Sequence, residues 1–257
     1  MDLLWRLIFC LTIGSLIMIL HKWIGKYPAP FPTSPEPEKE IRGVFFLWLI
    51  ALIIPILRMF ILAPWLSDVI NQRFFEELIY SPIQAAFYIA VPYYFFVRNS
   101  TWSALDLGLT WKVKSWSVAV FAVGLGGISG ITAFISDQAV ISSDPITAGT
   151  LLLLLFNNDF IEEFFHRGII QSKLERAIGQ QKAILIGGIL FGMTHIAFDI
   201  VQLSDTGILF VFFAFLLQTM LGWLLGIIYI KTRSLWPGIT CHYLVNWLPS
   251  ILVGIFS

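Results

Sequence analysis

Residues Ile161 to Ile170 read IEEFFHRGII. Glu162, Glu163, His166 and Arg167 fall inside an otherwise apolar stretch that the hydropathy pattern extends over 147–170. A run of that length is a bilayer-spanning helix. Charges within such a helix cost about 2.5–3.5 kcal/mol each on insertion scales, so they face a bundle interior and carry a function. The reading of these ten residues therefore decides between a soluble core helix and a functional membrane helix.

Working outward, the rest of the chain agrees with a membrane. Of 257 residues, 58% are hydrophobic and only 12% charged, about half the charged share of a soluble domain. Mean hydropathy is +0.83. Apolar runs at 3–20, 43–65, 78–97, 115–136, 147–170, 183–199, 208–230 and 236–256 predict an all-α, polytopic transmembrane helical bundle of about eight spans. The first run lacks a small-residue cleavage site and more spans follow, so it reads as a retained helix. The formal net charge is zero with no basic block, which excludes nucleic acid as a partner. Cys10 and Cys241 lie in separate apolar segments and suggest neither a zinc site nor a disulfide framework.

The stretch KYPAPFPTSPEPEKE (26–40) is an extended, proline-rich linker. It divides residues 1–42, an N-terminal transmembrane helix with a loose tether, from a membrane-embedded helical domain at 43–257. Basic residues cluster in alternate loops: Lys22, Lys26, Lys39 and Arg42; Arg98, Lys112 and Lys114; Lys173, Arg176 and Lys182; Lys231 and Arg233. By the positive-inside rule these face the cytoplasm and both termini face outward, as for a multi-pass protein of the cell (plasma) membrane. Arg58, near the outer end of span two, is expected to snorkel to the interface. Glycine pairs 126/130, 188/192 and 222/226 have the spacing of close helix contacts.

Polar residues recur at one depth. Glu162 lies about 16 Å before Lys173 at 1.5 Å per residue, His195 about 20 Å after Lys182, and His242 and Asn246 about 14 and 20 Å after Arg233. Three helices thus place acids, histidines and an amide in one layer. His242 and Asn246 share a helix face, as do Glu163 and Arg167, which can pair and leave Glu162 free. Cys241 points away from His242 and reads as packing. Asp159, beside Asn157 and Asn158, is left out of the set. Asp199, four residues after His195, could orient that ring. Glu76 and Glu77 lack a following arginine and read as solvated.

The motifs EEFFHR (162–167), FGMTH (191–195) and HYLVN (242–246), in this order in successive helices, resemble the CPBP family of intramembrane proteases, which includes the CAAX prenyl endopeptidases and bacteriocin-processing or self-immunity proteins. The likeness covers about 100–256, including the DLGL lead-in (106–109). It implies an intramembrane endopeptidase acting on a membrane-associated peptide or protein, prenylated or not. Glu162 would activate water, His195 would position it, and His242 and Asn246 would stabilise the oxyanion. Glu163 and Arg167 would support them, and His166 has no assigned role. No cofactor is certain; zinc is the one candidate, with His195 and His242 as ligands. The competing reading is a non-catalytic immunity or scaffold protein of the same family. A di-metal oxidase would need a second E-x-x-H motif, and a transporter an inverted hydropathy repeat; neither is present.

Overall fold

The computed structural model describes residues 3–65, 73–98, 102–135, 145–201, 203 and 207–256. Among them every regular element is helical: α1 (Leu3–Lys22), α2 (Pro37–Leu57), α3 (Arg73–Ala85), α4 (Trp116–Ile135), α5 (Pro145–Glu163), α6 (Ser172–Ile178), α7 (Gln180–Val201), α8 (Ile208–Thr232) and α9 (Trp236–Phe256). This is the expected helical membrane bundle. Pro37–Trp65, Trp116–Ile135, Gln180–Ile200 and Ile208–Thr232 are long and apolar enough to cross a bilayer. The side chains of Glu76 and Glu77 lie outside the described residues.

Local chemistry sets the boundaries. Pro37 opens α2, where its missing N–H costs nothing, and Glu38 and Glu40 sit in the first turn at the positive end of the helix dipole. Gly179, at φ 82°, separates α6 from α7. Arg233 ends α8 in the left-handed region and its N–H caps Tyr229 O at 2.7 Å. Several helices then widen into π turns with i→i+5 hydrogen bonds: Arg58–Leu62 after α2, Ala86–Ala90 and Tyr93–Val97 after α3, and Phe164–Gln171 after α5. The last replaces the regular helix expected to run to 170.

Two close helix pairs frame the interior. A Cβ on Gly222 would lie 2.7 Å from Gly188 Cα, joining α8 to α7. One on Gly130 would lie 2.6 Å from Leu244 O, joining α4 to α9. The small-residue spacing seen in the sequence is thus used for backbone approach.

The proline linker is not a loose tether. Lys231 on α8 donates to four carbonyls around the end of α1, those of Leu20, His21, Ile24 and Gly25, at 2.6–3.0 Å. The linker is pinned in turn: Glu175 accepts from Phe31 N at 2.9 Å, and Arg233 donates to Ala29 O at 3.1 Å. A helix end presents unpaired carbonyls, and one buried ammonium satisfies them together. Hydropathy could not show this, because Lys231 reads as a loop charge. Arg58 also departs from expectation. Its guanidinium lies 4.0 Å from the centroid of the Tyr80 ring, inward on α3, instead of extending to the interface.

Candidate functional site

Two helices face each other with the same spacing. On α5, Asp159 and Glu163 are one turn apart; on α9, His242 and Asn246 are one turn apart. The helices run antiparallel, so the pairs meet as rungs. Glu163 Oε1 lies 3.1 Å from His242 Nδ1, and Asp159 Oδ1 lies 3.1 Å from Asn246 Nδ2. A diagonal of 4.0 Å joins Asp159 Oδ1 to His242 Nε2. An ionised carboxylate only accepts. Hence His242 Nδ1 carries the donated proton, and Asn246 turns its NH2 group to Asp159.

Glu162 points elsewhere, because consecutive residues diverge by about 100° on a helix. It faces α3, where it accepts from Gln84 Nε2 at 3.2 Å. Glu162 is therefore held, not free. Ser81 and Asn157 add a second rung between α3 and α5 at 2.7 Å. Glu163 also pairs with Arg167, Nε to Oε2 3.3 Å, both 1% exposed. Glu163 thus serves two partners, where the sequence suggested only the arginine.

Phe191 on α7 is the hub. Its ring centroid lies 4.6 Å from that of His195, 5.0 Å from His166 and 6.0 Å from His242, with the Arg167 guanidinium 4.7 Å away. Its carbonyl accepts from His195 Nδ1 at 2.9 Å. One residue, four before His195, thus packs the site and orients the histidine, leaving Nε2 as an acceptor. The carbonyl takes the role considered for Asp199, whose Oδ2 has no hydrogen bond among the described residues. His166 is buried edge-on to Phe165 and Phe191, and its Nδ1 has no hydrogen-bond partner there either. Cys241 is fully buried and unpaired, and its backbone meets Gly126.

The π segment is clamped from the basic end. Added at Gly168, a Cβ would stand 2.9 Å from Leu107 O in the DLGL segment. Tyr229 Oη lies 2.7 Å from Ser172 Oγ and donates to Asp106 O at 3.2 Å. Gln171 donates to Gly226 O at 2.9 Å. These contacts fix the register that brings Arg167 onto Glu163.

The bundle therefore gathers Glu162, Glu163, Arg167, His195, His242 and Asn246, and adds Asp159, Gln84 and Phe191. Asp159 had a legible signal: its one-turn offset from Glu163 matches that of His242 and Asn246. Gln84 had none, since it lies on a helix outside the three motifs. Both histidines give Nδ1–H to protein acceptors and keep Nε2, as a metal-ligating histidine does, but the described residues bring together no group of three or more His, Cys, Asp or Glu suited to hold an ion.

Comparison with known proteins agrees with the motifs. Residues 144–248, which contain all three, match the family model described as type II CAAX prenyl endopeptidase Rce1-like. A Bacillus subtilis protein described as "Putative membrane peptidase YdiL" is 25% identical over 158 residues, covering 58% of each chain. The match thus spans little more than half of that relative's length. No solved structure matches. The resemblance read from the motifs is borne out at the level of the family.

Proposed function

We propose that this chain is a membrane-embedded endopeptidase that cleaves a membrane-associated peptide or protein, with Glu162 as the general base. The observation that carries this reading is the meeting of α5, α7 and α9 around Phe191, which gathers His195 and His242, with the half-buried Glu162 on the same turn of α5 as Glu163. The family match supports the peptidase class.

Glu162 takes a proton from water while the water oxygen attacks the scissile carbonyl carbon. His195 Nε2 accepts the water's second hydrogen and fixes its direction. Negative charge then develops on the carbonyl oxygen, where an N–H of Asn246 and, with the ring as imidazolium between Asp159 and Glu163, Nε2–H of His242 are the available donors. Glu162 returns its proton to the leaving nitrogen as the C–N bond breaks. Gln84 keeps one Glu162 oxygen occupied, so the other works as the base. The alternation of basic loops supports a cytoplasmic basic end, with the termini outside the cell membrane.

The test is turnover of a quenched fluorescent, farnesylated peptide by protein reconstituted in vesicles. Glu162→Gln is expected to lower turnover by at least about a hundredfold without changing the melting temperature. Full turnover in Glu162→Gln removes Glu162 as the base, while absence of wild-type turnover, with the biological effect kept in Glu162→Gln, ends the hydrolytic reading and leaves a scaffold role. About one zinc per wild-type chain, lost in His195→Ala by elemental mass spectrometry, would replace the glutamate-base scheme with a metal one.

A further inference from the structure

We propose that Asp159 is a positioning residue of this site, holding the Asn246 amide so that its second N–H points to the reacting carbonyl. The inference rests on the hydrolytic reading above. None of the three motifs contains Asp159.

Asp159 is 4% exposed, although it stands in an apolar helix where a carboxylate is costly. Its Oδ1 accepts from Asn246 Nδ2 at 3.1 Å and lies 4.0 Å from His242 Nε2. Both proposed oxyanion donors are thus tied to one carboxylate oxygen. An asparagine amide can turn over and offer oxygen instead of nitrogen. Beside a carboxylate it cannot, because its oxygen would face a group that only accepts. Asp159 therefore selects the orientation in which one N–H of Asn246 is bound and the other is free. The Glu163 rung does the same at the opposite edge of the ladder by fixing His242 Nδ1. Simple helix–helix adhesion would be served as well by Asn at 159 and Asp at 246. Only the observed arrangement leaves a donor, and not a carboxylate, on α9 beside His242.

Three variants test this in the peptide assay. Asn246→Ala is expected to lower kcat about a hundredfold, and Asp159→Asn about tenfold with KM within twofold. The double variant Asp159→Asn/Asn246→Ala is expected to match Asn246→Ala alone, and a multiplied loss overturns the proposal. The exchange Asp159→Asn/Asn246→Asp restores the hydrogen bond with donor and acceptor reversed. It is expected to recover the melting temperature and not kcat; recovery of both reduces Asp159 to adhesion. An activity-free readout comes from selectively labelled asparagine side-chain amides in nanodiscs. One Asn246 amide proton should be shifted downfield and move on Asp159→Asn. An unshifted signal overturns the proposal whatever the turnover. Absence of peptide turnover by the wild-type protein is the separate result that removes the hydrolytic reading itself.

Discussion

Arginine meets glutamate in two buried places, and the two are built differently. At the basic end, Arg233 grips Glu175 with two N–H groups at 2.6 and 2.7 Å, and Phe31 N adds a third donor. Arg176 nearby donates to Asp106 at 2.9 Å and packs on Phe31 and Trp102. No buried side-chain atom of Glu175 or Arg233 lacks a hydrogen bond, whereas Arg176 leaves its Nε without one. In the inner layer, Arg167 meets Glu163 at one 3.3 Å contact, and none of its nitrogens makes a hydrogen bond of good geometry among the described residues. Glu163 Oε2, Asp159 Oδ2 and His166 Nδ1 share that condition. Buried polar groups are normally satisfied, and exceptions gather where chemistry is done. The collar is thus a structural joint, while the layer keeps unspent hydrogen-bonding capacity.

Matched substitutions put the contrast at risk. Glu175→Gln keeps the shape but leaves the Arg233 charge without its partner, and is expected to cost about 3 kcal/mol of stability in chemical unfolding. Turnover per folded molecule should hardly change. Glu163→Gln strips the 1% exposed Arg167 of its carboxylate as well, so a stability loss of about 3 kcal/mol is expected there too, but turnover per folded molecule should fall at least about tenfold. Unchanged turnover per folded molecule in Glu163→Gln would erase the distinction between joint and site.

Lys231 sharpens the same comparison at the joint with α1. Lys231→Met keeps an apolar stem and removes the ammonium that serves four carbonyls. A loss of about 2 kcal/mol is expected, the range for hydrogen bonds to a charged group. The change should appear as broadened spin-label distances between α1 and α8 and faster proteolysis of the linker. Unchanged distances would show that α1 is held by apolar packing alone.

Hydropathy and spacing made the helices and the convergence of three motifs legible, because both follow from repeats along one chain. Partners across helices were less so. Gln84 reaches Glu162 only because α3 lies along α5, and no periodicity encodes that neighbour. The π turn at Phe164–Gln171 depends on what clamps it, namely Leu107 against Gly168. Lys231 looked like a topology signal because its partners are backbone carbonyls, which every sequence has.

Asp106 provides the smallest and most local test of the collar. Burial alone raises its pKa, but the N–H and hydroxyl of Ser103 and the Arg176 guanidinium outweigh that and hold it below the ordinary 3.8. A carboxyl with a depressed folded-state pKa stabilises fully above its unfolded value, and that contribution fades as pH falls through the folded value. Wild type should therefore melt slightly above Asp106→Asn at pH 7, and the two curves should converge below about pH 4. The segment that Asp106 anchors also presses Leu107 onto Gly168, so the same acid titration should loosen the π turn from the basic side. If the gap between the curves stays constant down to pH 3, the Asp106 charge contributes nothing, and the DLGL segment is held by Leu107 and its backbone contacts with Leu235.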